Sequence, residues 1–491
     1  MLRADSFATG MLIMMVMTVV QRSVGFGRSM LFCRWMTDDQ LGQWAMAFGF
    51  ITMCTPLLVL GLSGSLARYV QHYRDQGHLR GFVSRVAYTV LALSVLGCGT
   101  MVLFPDTFSW LVFKTPQSRM LIAAIALAVF AYIYFSFITE LVASLRQVRV
   151  VSMMQFVQSI AFTALGLGVL IGHGDLTQLC LSHAIATVIG SVPGVWILAR
   201  GGQEFQSSGE PMQASAMWRR LLPYAASLWM MNLLANAFEF SDRYMILHLT
   251  SGGAEAGQSA VGQYHTGRLF PTLLLSLATI INAVLMPYLS ADWEAQKHDA
   301  VKLRLRQCLS GIALLFTLAA AMTLLLAPWM FSTLLSGRYQ EGLAVMPMAF
   351  VFCIWAAISF LGQSYLWIRE KGHWVGVALG IGLIANLLMN QWLVPMYGLH
   401  GAVLATLISN AFVLVGVAWF SLRYGMSIGI DLLIAVVLPL SLLSHPLVAI
   451  ACVGLTLAAV KSNRDAMAMF ADELTQRLSG RSRVRGKQGP A

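Results

Sequence analysis

Cations stand where apolar sequence would otherwise continue, and they do so twice. Arg22 and Arg28 flank Gly25-Phe26-Gly27 at the end of a run that begins near Met11. A short polar stretch follows, and Leu41-Gly42-Gln43-Trp44 opens the next apolar run. Halfway along, Arg243 ends the segment Phe238-Glu239-Phe240-Ser241-Asp242-Arg243. Another polar stretch leads to Val261-Gly262-Gln263-Tyr264 and a further apolar run. Guanidinium keeps its charge when desolvated and forms paired hydrogen bonds with phosphate. A cation held at matching points of two halves of a membrane protein is costly, so the chemistry to test first is the binding of an anion.

Spacing sets conditions on that chemistry. Six residues rotate a regular helix by about 600°, which leaves Arg22 and Arg28 about 120° apart. Both can serve one ligand only if Gly25 and Gly27 break the helix, or if the cavity is wide. The competing account of Arg28 is snorkelling to outer headgroups. Glu239 and Arg243 are four residues apart, which allows an internal salt bridge. The same cluster also reads as one that turns Arg243 inward, with Glu239 or Asp242 exchanging a proton or a sodium ion during a transport cycle. Arg268, shortly before Pro271 in an overlong run, is a fourth cation for the interior. Interfacial placement explains Glu140 and Asp431.

The elements that must carry these residues are membrane helices. Of 491 residues, 58% are hydrophobic and 11% charged, with mean hydropathy +0.71; soluble domains carry about 25% charged residues. A span takes about 20 apolar residues. Fourteen runs qualify: 6–27, 41–62, 84–104, 119–142, 150–172, 176–199, 219–241, 266–290, 309–331, 343–367, 373–394, 398–420, 428–443 and 446–460. The last two are short and divided at Pro446, so a single bent or re-entrant segment competes with a hairpin. With the N-terminus inside, most of the 32 Lys and Arg fall in inner loops, and the positive-inside rule puts both termini in the cytoplasm. The net charge of +11 follows from that distribution and does not call for nucleic acid. The first run is too long for a cleavable signal peptide and lacks a small-residue cleavage site.

The organisation is a first lobe at 1–200, a hinge-like linker at 201–217, a second lobe at 218–424, a hairpin at 425–460 and a basic cytoplasmic tail at 461–491. Each lobe holds six spans, an even number, so a duplicated unit returns in the same orientation. Both lobes end in a helix pair with a tiny turn, at Gly172-His173-Gly174 and at Tyr397-Gly398, running into Ala186-Thr187 and Ala405-Thr406. In the tail, Met467, Phe470, Leu474 and Leu478 fit one face of an amphipathic helix on an anionic leaflet; a disordered basic tail fits equally. Seven cysteines in no ligand spacing read as core residues, without metal or disulfide framework. No catalytic constellation, cofactor motif or nucleotide-binding domain is evident, which excludes an ATP-driven pump on this chain alone.

Four segments carry a resemblance: Arg22 to Arg28 with Leu41-Gly42; Leu66-Ala67-Arg68-Tyr69; Ser241-Asp242-Arg243-Tyr244 with Val261-Gly262-Gln263-Tyr264; and Met396-Tyr397-Gly398-Leu399-His400-Gly401-Ala402 leading to Ala405-Thr406. In order, they resemble the polysaccharide and oligosaccharide flippases of the multidrug/oligosaccharidyl-lipid/polysaccharide exporter superfamily. The resemblance implies an all-α polytopic protein whose two six-helix lobes form a V and alternate between inward- and outward-open states. It implies a substrate of oligosaccharide linked through pyrophosphate to a polyprenyl carrier, in the cytoplasmic membrane, with other polysaccharide-assembly proteins as partners beside membrane lipids. Arg22, Arg28 and Arg268 match cavity arginines of the related lipid II flippases. The short final hairpin departs from flippases with a full-length extra helix pair. Two rivals are an ion-coupled multidrug exporter of the same superfamily, and a membrane glycan polymerase or ligase. The first wants acids and aromatics around an organic cation; the second usually needs a sizeable outer loop.

Overall fold

A computed structural model describes residues 7–200, 213–427 and 429–459, and over them the protein is all-helical. The elements are α1 (Phe7–Trp35), α2 (Asp38–Val59), α3 (Leu62–Asp75), α4 (Leu79–Leu103), α5 (Pro105–Phe113), α6 (Arg119–Ser144), α7 (Val148–Ile171) and α8 (Leu176–Arg200). After the linker come α9 (Ala214–Leu249), α10 (Gly253–Glu294), α11 (His298–Thr333), α12 (Gln340–Gly362), α13 (Ser364–Ile368), α14 (His373–Arg423), α15 (Ile430–Val437) and α16 (Pro446–Ala459). Most of the linker, and the tail with its amphipathic pattern, lie outside the described residues.

Nine helices among the described residues are long and apolar enough to cross a membrane. The twelve runs expected before residue 425 appear as α1, α2, α4, α6 to α12 and the two arms of α14. Those arms meet at Gly398, whose φ of 54° and ψ of −128° interrupt an otherwise continuous 51-residue helix. That is the position of the tiny turn expected from sequence. The earlier turn is real as well, with His173 at φ 54°. The final runs form α15, a 3₁₀ stretch Leu438–Leu443 and α16; over the described residues the two apolar pieces, Ile430–Leu443 and Pro446–Ala459, are each shorter than the about 20 residues of a full span. The helices α1 and α9, 29 and 36 residues long, are not among the nine; they carry Arg22, Arg28, Glu239, Asp242 and Arg243, while Arg268 lies in α10.

Two helices were not legible as such. The segment after α2 is not a loop but α3, which buries Leu62, Leu66, Tyr69, Val70 and Tyr73 along one stripe and leaves Arg68 exposed. The spacing is that of an amphipathic helix, but the stripe is shorter than a span and broken by serines. The helix α5 starts on Pro105 at its first turn and stops where Lys114 adopts φ 59°.

The chain forms two compact units: Met1–Leu269 with Trp329–Val345 and Leu379–Ser409, and Phe270–Pro328 with Met346–Ala378 and Asn410–Ala491. In the first, α6 is the central helix, with fourteen buried residues. Small residues let its neighbours approach: Gly194 of α8 faces Ile138 of α6 and Met154 of α7, and Gly190 faces Gln158. Without a hydrophobic driving force between helices in lipid, such close packing is what joins them. The cysteines are free, and five of the seven are buried.

In the second unit, Arg306 of α11 donates to Asp431 of α15 at 2.5 Å. The Asp431 side chain is 5% exposed, so this residue is paired within the protein and not merely interfacial. The indole of Trp355 donates to the carbonyl of Val436 at 2.8 Å, and Leu314, Leu438 and Val453 close an apolar cluster. Removing one member of a buried pair strands the other charge, at about 3–5 kcal/mol, whereas an apolar replacement of both is often neutral. Arg306→Met is therefore expected to lower the thermal midpoint in detergent more than the double variant Arg306→Met/Asp431→Leu does.

Candidate functional site

Two faces of α9 divide its charged residues. Asp242 points into the protein, 1% exposed, and each of its oxygens accepts two hydrogen bonds. Oδ1 receives Asn386 Nδ2 at 2.7 Å and Asn390 Nδ2 at 3.2 Å. Oδ2 receives the Tyr264 hydroxyl at 2.6 Å and Thr406 Oγ1 at 2.8 Å. Ser241 donates to Asn386 Oδ1 at 3.0 Å, as does Asn390. Arg268 Nη1 reaches the Tyr264 hydroxyl at 3.1 Å. A buried carboxylate without partners costs several kcal/mol; here four donors from α10 and both arms of α14 meet it.

One residue on, the helix has turned by about 100°, and Arg243 faces a cavity of about 380 Å³. Arg243 Nη2 lies 3.5 Å from Glu239 Oε1, and its Nε has no partner among the described residues. Its side chain is 13% exposed, while that of Glu239 is 59% exposed into the space it lines. Beside them stand Asn232 and Asn236 of α9, Thr52 and Thr55 of α2, and Tyr132 and Glu140 of α6. Arg22 and Arg268 also act on Glu239 electrostatically, but of the expected arginines Arg243 alone lines the cavity.

The remaining arginine stands apart. Arg28 donates to Thr163 Oγ1 at 3.2 Å and to the Ser159 carbonyl at 3.4 Å, with Phe162 4.6 Å beneath its guanidinium. It is fastened to α7. The expected helix break at Gly25 and Gly27 is also absent: α1 runs unbroken through both. Among apolar helices an unmade backbone hydrogen bond has no water to replace it, and the Ser29 hydroxyl even adds a bond to the Gly25 carbonyl at 3.0 Å. Glycine permits a break but does not impose one.

The cavity lies between two close contacts made by α2. At its start, a Cβ on Gly42 would stand 3.1 Å from the backbone nitrogen of Gly262, and one on Gly262 3.2 Å from that of Gly42. Gln43 donates to Gln258 Oε1 at 2.8 Å, and Gln263 donates to Asp38 Oδ2 at 2.5 Å. The two repeated Gly-Gln elements thus pack on each other. At the other end Gly61, at φ 73°, stands against α9, where a Cβ would meet the backbone nitrogen of Trp229 at 2.8 Å.

Sequence reasoning missed Asn386 and Asn390. Two asparagines four apart in an apolar run were a signal, since polar groups inside a membrane are expensive and mark function or pairing. Tyr264 and Thr406 stood in the quoted motifs without a role.

The profile of a family described as "Polysaccharide biosynthesis protein" matches residues 7–293. The chain belongs to that family. A curated relative, the "Uncharacterized membrane protein YabM" of Bacillus subtilis (strain 168), is 26% identical over 232 residues, 46% of this chain and 42% of its own length. The match therefore spans under half of that relative. Among solved structures, "Lipid II flippase MurJ, inward closed conformation" superposes with TM-score 0.70 at 12% identity, over 94% of this chain and 100% of that one. An inward-facing multidrug resistance MATE family transporter of the MOP superfamily gives 0.61 at 13%, over 84% and 98%. This member of the polysaccharide biosynthesis family thus has the all-helical multi-pass fold of those transporters.

The two faces of α9 predict unequal stability effects. Asp242→Asn replaces an acceptor with an amide that turns a donor toward donors, at about 1–3 kcal/mol per group left unsatisfied. Glu239→Gln sits in open space. The thermal midpoint in detergent is expected to fall clearly for Asp242→Asn and by less for Glu239→Gln, which loses one long 3.5 Å pair with Arg243.

Proposed function

We propose that this protein is a flippase that carries a polyprenyl-pyrophosphate-linked oligosaccharide from the inner to the outer leaflet of the cytoplasmic membrane, for cell-surface polysaccharide assembly. Both termini stand in the cytoplasm in this reading. The observation that carries it is Arg243, which faces the cavity with a nitrogen unpartnered while Arg22 and Arg268 add charge around one Glu239. A guanidinium with a free nitrogen facing the cavity favours an anion and grips pyrophosphate bidentately. The amides and hydroxyls of Asn232, Asn236, Thr52 and Thr55 suit sugar hydroxyls. A volume of about 380 Å³ is that of a single small-molecule site, so it takes the pyrophosphate with the sugars next to it while the polyprenyl tail stays in lipid.

Transport by alternating access needs the two ends of α2 to part in turn. A ligand bound equally in both states would shift nothing, so a gradient must bias the cycle. The coupling role for a proton or sodium ion is assigned to Asp242, onto which Asn386, Asn390, Tyr264 and Thr406 all donate, so that uptake of the cation must displace donors and loosen this network. Glu239, tied to Arg243, serves the substrate instead.

A multidrug exporter is the second reading, favoured by Glu140 with Tyr132, Trp229 and Phe48 in the same lining, groups that hold organic cations. In proteoliposomes, Arg243→Ala is expected to slow translocation of a polyprenyl-pyrophosphate-linked oligosaccharide at least about tenfold, the loss of a charge-assisted hydrogen bond. Arg243→Lys should fall between. Undiminished translocation, with efflux of an organic cation that depends on Glu140, would replace the flippase reading with its rival. A disulfide between Gln43→Cys and Gln258→Cys should stop turnover reversibly, with recovery on reduction.

A further inference from the structure

Outside the cavity, cations at the junction of α3 and α9 are held by aromatic rings instead of carboxylates. The guanidinium carbon of Arg68 lies 4.6 Å from the Tyr224 ring centroid and 5.7 Å from that of Tyr69. Arg220 lies 5.9 Å from the same Tyr69 ring. The two rings meet edge to face at 5.8 Å, and the buried Tyr69 fixes the platform by donating its hydroxyl to the Arg220 carbonyl at 3.2 Å. Arg220 Nη1 stands 2.8 Å from His72 Nε2; arginine has no lone pair, so the imidazole nitrogen is the acceptor in this contact. Asp75, the acid of α3, is engaged by Gln71 at 2.8 Å. Neither Arg68 nor Arg220, both exposed, is paired with a carboxylate among the described residues.

Two like charges thus share the Tyr69 ring, with no carboxylate among the described residues in ion-pair contact with either. Stacking on a ring leaves the in-plane N–H groups of a guanidinium free for a second partner. The partner that satisfies two such groups at once is a phosphate, through paired charge-assisted hydrogen bonds. We infer that Arg68 and Arg220, presented by Tyr69 and Tyr224, form a second phosphate-binding site at the α3–α9 junction, separate from the cavity. Its ligand is a phosphate or pyrophosphate group, carried by a membrane lipid headgroup or free in solution. Because one arginine belongs to each helix, a bound phosphate also ties α3 to α9 beside the Gly61 contact.

The test uses the purified full-length protein in phospholipid-free detergent with inorganic pyrophosphate. It also compares thermal midpoints in nanodiscs of phosphatidylglycerol and of phosphatidylcholine. In an R243Q background, which removes the cavity's own grip on pyrophosphate, R68Q/R220Q should bind pyrophosphate at least about tenfold more weakly than R243Q alone and lose any extra stability in phosphatidylglycerol. A response confined to phosphatidylglycerol assigns the source to bilayer lipid; a pyrophosphate response that R68Q/R220Q removes assigns it to the phosphate alone. If the double variant does not fold, R68Q and R220Q singly carry the test, with a weakening of about threefold or more each. Equal behaviour of altered and unaltered protein in both arms overturns the site. So does a pyrophosphate response that only R243Q removes, which would leave the cavity reading standing.

Discussion

The carboxylate of Asp242 is the fixed point of the first unit. Its four hydrogen bonds come from Tyr264, Asn386, Asn390 and Thr406, side chains of α10 and of α14 on either side of the Gly398 kink. An ionised group is tolerated in a low-dielectric interior only when its lone pairs are met in this way. Satisfying it sets the rotation of α9 about its own axis. With that rotation set, Arg243 and Glu239, one turn apart, must share the face that opens on the cavity. The site is therefore positioned from behind: the buried carboxylate decides where the neighbouring cation points.

The same logic separates what was legible in the sequence from what was not. Charged residues in apolar runs announce themselves by their cost, so Glu239, Asp242, Arg243 and Arg268 were all visible, and the runs that carry them are found as helices. What local pattern could not give was the partner of each. Nothing in the spacing of Asp242 points to Asn386 or Asn390, well over a hundred residues away. Nor does it tell that Arg28 would fasten to Thr163 while Arg22 would not. The glycines of α1 were misread for a related reason. A helical preference measured in water undervalues Gly25 and Gly27 in a setting where each unmade backbone bond is unreplaced.

The repeated Gly-Gln elements were legible as a repeat but not as a contact. Each glycine accepts the other helix at backbone distance, and each following glutamine reaches a side chain four residues before the opposite glycine, Gln43 to Gln258 and Gln263 to Asp38. A duplicated element that meets its own copy gives a two-fold-like contact with the same chemistry on both sides. The backbones meet at glycine, and the side chains that cross the contact are glutamines and Asp38. The contact is therefore polar, held by hydrogen bonds that water can replace if it parts.

Both closures of the cavity are made by one helix. Gly42 lies near the start of α2 and Gly61 just past its end, and the cavity residues Phe48, Thr52, Thr55 and Val59 fall between. Pro56 sits within that interval, where it removes the hydrogen bond to the Thr52 carbonyl and makes bending cheap. The Thr52 hydroxyl, bonded to the carbonyls of Gly49 and Phe48 at 2.9 and 3.1 Å, loosens the ladder one turn earlier. A straight, stiff α2 would couple the two ends, so that parting one would drag the other. A helix weakened between them lets one contact open while the other holds, and that independence is the mechanical requirement of any cycle that exposes a cavity to each side in turn.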